Sequence, residues 1–203
     1  MALQMLIIGC GNMGGAMLSG WLAAGLPPER FAVLDPALES VSDGVALYRS
    51  PQDVPGGHNA VLLGFKPHQL AALAPRLQSL VGAGVALHSM LGGMTLAQLV
   101  AAFPLAQGHV RVMPNLAVRI NKSPIILAQT GLDPAQREAV FAFYDPLGSA
   151  VWLEEESHFD LLTALAGSGP GFVYRFVDAL AKAAIRLGAQ PEEAQRLALA
   201  MVE

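Results

Sequence analysis

Charge is what this 203-residue sequence has least of. Only 14% of its residues are Asp, Glu, Lys or Arg, the formal net charge is −4, and Lys and Arg nowhere cluster. A basic patch is the electrostatic footprint of nucleic-acid binding, so that class of partner is excluded. There is a single cysteine, Cys10. An intrachain disulfide framework is therefore ruled out, and a reducing compartment, the cytoplasm, is the expected location. His58, His68, His88, His109 and His158 show no metal-ligand spacing, and no metal is expected. Neither a Ser-His-Asp signature nor a paired-carboxylate signature is present. The sequence has no internal repeat and no low-complexity tract. What it has is 53% apolar residues and enough length to bury a sizeable core, with one domain plus a small appendage as the natural organisation.

The shortage of charge is sharpest at the start. The stretch "LIIGCGNMGGAMLSGWLAAGL", Leu6 to Leu26, carries none, and the first charged side chain is Glu29. Its length would allow a membrane span, but glycines at 9, 11, 14, 15, 20 and 25 argue against one. No basic residues precede it as in a secretory leader. A short buried strand, a turn at Gly9-Cys10-Gly11 and a helix over 12–24 explain it better, because parallel strands covered on both faces read as continuous apolar runs.

Further β-rich runs fall at 31–34, 60–63, 84–88, 109–113, 125–128 and 150–153. Helical spacing falls at 69–81, 95–103 and 134–144 between them. This alternation predicts an α/β fold with a Rossmann-type, doubly wound parallel sheet over 1–153. Beyond it the pattern turns helical. Ser157 with Asp160 three residues on resembles a capping box, and breaks are expected at Gly167–Pro170 and near Gly188. Residues 154–203 are too few to bury a core alone, so they are expected to pack on the sheet, on another subunit or on further chain. The last helix, "PEEAQRLALAMVE", reads as one that is still running at Glu203.

Gly9-Cys10-Gly11-Asn12-Met13-Gly14 is a G-x-G-x-x-G directly after a predicted strand and opening a helix. One glycine makes the turn, one lets backbone approach a pyrophosphate, and one lets helix and strand pack closely. The helix start adds N–H donors and a partial positive charge for phosphates. Asp35 ends the next strand, 21 positions after Gly14, where an acid binds adenosine ribose hydroxyls; a turn residue before Pro36 is the alternative reading. A carboxylate there repels a ribose phosphate and residues 36–40 hold no Arg or Lys, which leans toward NADH, unless Arg30 or Arg49 folds over the site. Cys10 reads as a small residue filling a tight turn.

Five segments in order resemble pyrroline-5-carboxylate reductases: "GCGNMGGAML", "VLLGFKPHQL", "SMLGGMTLAQL", "VRVMPNL" and "FDLLTALAGSGPGFVYRFVDALAKAAIRLG". The match runs from residue 6 to about 200. The resemblance implies reduction of a cyclic imine to proline by NADPH or NADH. It places Gly9, Gly11, Asn12, Met13, Gly14, Asp35, Gly64, Phe65, Lys66, Pro67, Leu91, Gly92 and Gly93 at the cofactor. Asn115 falls near the nicotinamide, and Gly167, Ser168 and Gly169 near the substrate. Asn115, Ser168 and Lys66 are the catalytic candidates. Lys66 would act electrostatically, on cofactor or substrate carboxylate, and not by proton transfer; its alternative is a solvated loop lysine. Pro170 would open a helix whose N–H groups hold the substrate carboxylate, an ordinary helix break being the alternative. The resemblance also implies a helical dimerisation and substrate domain, hence a homodimer or larger homo-oligomer.

The sequence departs from the family pattern at four places. "LAVRINKSP" lacks the Pro and Gly usual after Met-Pro-Asn. Gly64-Phe65 replaces Ala-Val, and Met90-Leu91 replaces smaller residues. The family's later Ser-Pro-Gly-Gly-Thr-Thr segment is not in this sequence, which is therefore expected to be a fragment or to have lost part of its site. Two other readings stay open: a reductase of another imine or small oxo acid, and a nucleotide-binding protein without catalysis.

Overall fold

A computed structural model describes residues 2–202. The uncharged opening stretch divides into strand β1 (Met5–Ile8) and helix α1 (Asn12–Ala23). There follow β2 (Phe31–Leu34), β3 (Ala46–Tyr48), β4 (Ala60–Leu63), α2 (Leu70–Leu77), β5 (Ala86–Ser89), α3 (Leu96–Ala102), β6 (Gly108–Met113), β7 (Ser123–Thr130), α4 (Pro134–Tyr144), β8 (Gly148–Trp152), α5 (Phe159–Arg186) and α6 (Pro191–Ala200). Among the described residues, no helix is long and apolar enough to cross a membrane.

The eight strands form one sheet in the order β3-β2-β1-β4-β5-β6-β7-β8. Every pair is parallel except β6–β7. The expected Rossmann-type, doubly wound parallel sheet is present, with that one antiparallel pair in it. Only the turn from Pro114 to Lys122 joins the two strands, too short for the crossover that parallel neighbours need. β3 went unread in the sequence. It is three residues long, lies at the sheet edge and is only partly buried, so it has no continuous apolar run.

The sheet separates two cores, and side-chain parity in the strands decides which core a residue joins. From β1, Met5 and Ile7 enter one core with Val33, Leu62, Val112 and the buried face of α1. Leu6 and Ile8 enter the other with Leu34, Val61, Leu63, Leu87 and residues of α2 and α3. The first core is centred on Trp21, fully buried, with ring centroids of Phe143, Phe31 and Tyr144 at 4.8, 5.4 and 5.6 Å. Its indole N–H donates to the Phe143 carbonyl at 2.9 Å, which satisfies the ring's one polar group.

The first compact unit extends to Leu162, past the strand region, because the first turn of α5 is tied into it. Phe159 is buried, and the guanidinium of buried Arg111 on β6 stacks over its ring at 3.8 Å. Arg111 also bridges Glu156 (2.8 Å) and Asp160 (3.0 Å). Glu156 in addition accepts the Leu96 N–H at the start of α3, at 2.7 Å. The Ser157 capping box is not formed: Ser157 lies in a 3-10 turn, and its hydroxyl donates to Glu155.

The second unit begins at Thr163. It holds most of α5, a turn through Gly188 and α6. Among its described residues the buried ones are three alanines, Ala181, Ala194 and Ala198. Phe172 and Leu197, by contrast, are 74% and 64% exposed.

Candidate cofactor site

β1 is flanked by β2 on one side and β4 on the other. The chain therefore reverses its winding direction between β1 and β4, and in open α/β sheets that switch point, at the carboxyl ends of the strands, is where ligands bind. A cleft of about 640 Å³ lies there. It is lined by the residues that end β1 (Ile8, Gly9, Gly11), those that end β2 (Leu34, Asp35, Pro36, Ala37), and the loop after β4 (Gly64, Phe65, Lys66). Arg49, Ser50 and Pro51 after β3, and Gln69, Leu73, Arg76 and Leu77 on and before α2, complete it.

The three motif glycines have three different surroundings. Gly9 has φ +86°, and a Cβ on it would lie 2.8 Å from the Phe65 nitrogen. Gly14 packs in α1, where a Cβ would meet the Gly9 carbonyl oxygen at 2.8 Å. Gly11 caps α1, and a Cβ there would meet nothing within 4 Å. Open space over a backbone at a helix N-terminus with no acid in its first turn suits a pyrophosphate. The residues present fit a dinucleotide on this ground.

Asp35 does two local jobs. Its Oδ2 accepts the Cys10 N–H at 2.9 Å, which ties the glycine-rich turn to the end of β2. Its Oδ1 accepts the Ala37 N–H, also at 2.9 Å, and closes a turn through Pro36. Cys10 itself is buried, and burial first, then the Asp35 charge, pushes its thiol up to about 11. It is a protonated, inert thiol at neutral pH.

Lys66 is exposed on the cleft, with its N–H donating to Gln69 Oε1 at 2.9 Å. Pro67 faces a separate groove beside α2. Asn12 and Met13 lie in the first turn of α1. Leu91 is buried in the second core, while Gly92 and Gly93 are exposed in the loop after β5. Asn115 follows β6 and is buried; its Oδ1 accepts the Ala117 N–H at 2.9 Å, and its own N–H goes to Ser123 Oγ at 2.9 Å. Asn115 thus caps the 3-10 turn 116–120.

That turn explains how the chain manages without the family's Pro and Gly. Asn121 takes a left-handed conformation (φ +57°), which Asn tolerates better than most residues. Its amide donates to the carbonyls of Gly20 (2.9 Å) and Pro146 (2.7 Å). Gly20 allows the turn to approach, since a Cβ there would lie 2.3 Å from the Val118 carbonyl oxygen.

Gly167, Ser168 and Gly169 lie in the second unit, inside α5. The expected break at Gly167–Pro170 is overturned: α5 is continuous through Pro170, so no helix N-terminus is available there. Glycines 169 and 171 face open space.

Sequence reasoning missed Arg76, and weighed Arg49 only as an alternative, folding over the site. Each is alone in its own segment, and only the fold brings them to one cleft. Arg30 goes elsewhere; it donates to the Leu3 carbonyl at 3.0 Å.

Comparison with known proteins follows the same lines. Residues 156–203 match the family model described as pyrroline-5-carboxylate reductase dimerisation. Residues 4–87 match the model described as NADP oxidoreductase, coenzyme F420-dependent. Pyrroline-5-carboxylate reductase 3 of Danio rerio is 30% identical over 197 residues, covering 94% of this chain and 68% of that protein. The pyrroline-5-carboxylate reductase of Aquifex aeolicus is 30% identical, covering 95% and 73%. The solved pyrroline-5-carboxylate reductase of Coxiella burnetii superposes with a TM-score of 0.91 at 25% identity, covering all of this chain and 77% of the other.

Proposed function

The chain belongs to the pyrroline-5-carboxylate reductase family, and on that premise we propose that it reduces the cyclic imine pyrroline-5-carboxylate to proline. The observation that carries this reading is the cleft at the switch point, with Gly11 open over the start of α1. A nicotinamide dinucleotide supplies the hydride when bound. The chain's own part is to bind and orient, because a protonated imine is already electrophilic and needs no nucleophile.

Gly9, Gly11, Asn12, Met13 and Gly14 would hold the pyrophosphate, and Asp35 would lie by the adenosine ribose. Gly64, Phe65, Lys66 and Pro67, with Leu91, Gly92 and Gly93, would line the rest of the cofactor. Lys66, exposed on the cleft, would contribute positive charge. Asn115 would stand at the nicotinamide end, its side chain oriented by the bond to Ala117. Ser168 would donate its hydroxyl to the substrate carboxylate, with Gly167 and Gly169 allowing close approach. That role replaces the helix-end N–H groups, which a continuous α5 keeps in its ladder.

The C-terminal helices would form a homodimer or larger homo-oligomer, in keeping with their match to the dimerisation model. A cytoplasmic location is part of the proposal. The test is oxidation of NADPH and NADH, followed by absorbance, on addition of pyrroline-5-carboxylate. Turnover that needs the imine supports the reading. Measurable cofactor binding with no turnover, both by this chain and by a longer version that carries the Ser-Pro-Gly-Gly-Thr-Thr segment, overturns it and leaves the two other readings.

A further inference from the structure

We infer that Glu156, held by Arg111, is a positioning residue for the reaction: it anchors the far end of the loop Leu91–Gly93, beside the nicotinamide end of the cofactor. The inference rests on the switch-point cleft being the dinucleotide site. A dinucleotide crosses a doubly wound sheet at that point, with one mononucleotide on each side. β2, with Asp35 at its end, and β3 lie on one side of β1. The nicotinamide half then falls on the other side, over the carboxyl ends of β4, β5 and β6. The loop after β5 stands in the middle of these three.

The loop is held at its ends. Gly92 and Gly93 are exposed, and Gly93 takes φ +76°. The near end is fixed by buried Leu91, whose N–H donates to Ser89 Oγ at 3.2 Å. The far end is the start of α3, where Thr95 and Gln98 cap the helix by bonds to each other. Those bonds are internal to the helix end and move with it. Glu156 ties that end to other elements: its Oε1 accepts the Leu96 N–H at 2.7 Å.

The same oxygen accepts Arg111 Nη1 at 2.8 Å. Arg111 is a fixed post, buried on β6, a strand paired on both sides. Its Nη2 is taken by Asp160 at 3.0 Å, and its guanidinium lies 3.8 Å from the Phe159 ring centroid. β6 runs on to Asn115, the residue assigned above to the nicotinamide end. One carboxylate oxygen thus joins the loop after β5 to the strand that leads to Asn115. A buried ion pair adds little to stability, because desolvation offsets its attraction, and its best-attested use is to fix one arrangement among several. The loop with two adjacent glycines is the element here that has several arrangements to choose from.

Reduced nicotinamide fluoresces, so the anisotropy of NADPH or NADH saturating the 203-residue chain reports how firmly that end is held. ADP-ribose and 2′-phospho-ADP-ribose, which lack the ring, report the other half of the site by calorimetry. Glu156→Ala should lower the plateau anisotropy and leave the affinities for the two ring-less probes unchanged. Glu156→Gln, which keeps an oxygen for the Leu96 N–H, should restore most of the plateau. Should Glu156→Ala not fold, with Arg111 left to Asp160 alone, the double variant Arg111→Met with Glu156→Ala removes both charges and should show the same loss. A plateau unchanged without Glu156, a ring already mobile in the wild type, or equal weakening of the ring-less probes would overturn the positioning role and leave the nucleotide site standing. Failure of the wild type to bind any of the four probes would overturn the nucleotide site itself, and the inference with it.

Discussion

His88 gives the fold a calculable sensitivity to acid. Its ring is fully buried on β5, with Nδ1 3.0 Å from the Tyr144 hydroxyl and no partner for Nε2 among the described residues. Burial holds its pKa down to about 3, against 6.5 for the free side chain. Below 6.5 the unfolded chain therefore takes up a proton that the folded one refuses. Stability is undiminished above that value and falls as the pH drops through it. The slope approaches about 1.4 kcal/mol per pH unit, and the loss reaches roughly 2.7 kcal/mol two units below the unfolded pKa. His109, also lowered by burial, acts in the same direction. The assay is urea unfolding at a series of pH values for the wild type and for His88→Gln, comparing slopes and not absolute stabilities. The variant should lose most of the pH dependence between neutrality and pH ~4.5. Parallel curves for the two proteins would refute the assignment of this acid sensitivity to His88.

Four further outcomes follow from the geometry. Gly11→Ala should leave the melting temperature unchanged, because its Cβ meets nothing, while calorimetry shows cofactor affinity falling about tenfold or more as the methyl blocks the pyrophosphate's approach. Gly64→Ala should instead destabilise by about 1–3 kcal/mol in urea, since its Cβ would lie 2.3 Å from the Gly9 carbonyl oxygen and 2.6 Å from Met90 Cε. Asn121→Ala loses two hydrogen bonds and a residue suited to positive φ, and should cost about 2–3 kcal/mol; Asn121→Gly should recover only the backbone part. Arg111→Met should cost about 2–3 kcal/mol by leaving Glu156 without its buried partner, and adding Glu156→Gln should return part of that loss.

The nucleotide-binding half was legible in the sequence because its signals are local. The glycine spacing, the apolar runs of the central strands and Asp35 all lie within short windows. β3 was not legible, since three partly exposed edge residues carry no pattern. The direction of β7 depends on the length of a connection more than on its own composition. Gly167–Pro170 read as a break from residue types alone, yet helix-forming sequence on both sides carries α5 through it. The cations of the cleft were the least legible part. Arg49 and Arg76 are unremarkable where they stand, and only parallel pairing of β1, β2, β3 and β4 brings their segments together.

The alanine seam between α5 and α6 has a consequence for what stability means in this protein. Three methyl groups form the buried core of that unit, while Phe172, Tyr174, Phe176 and Leu197 remain outside it. In the homo-oligomer proposed above, another copy would cover these larger side chains, and association would supply apolar burial that α5 and α6 do not supply between themselves. Folding of the C-terminal helices would then be governed by mass action. Its midpoint would rise with protein concentration, and the order of this part of the molecule would become a property of the solution as much as of the chain.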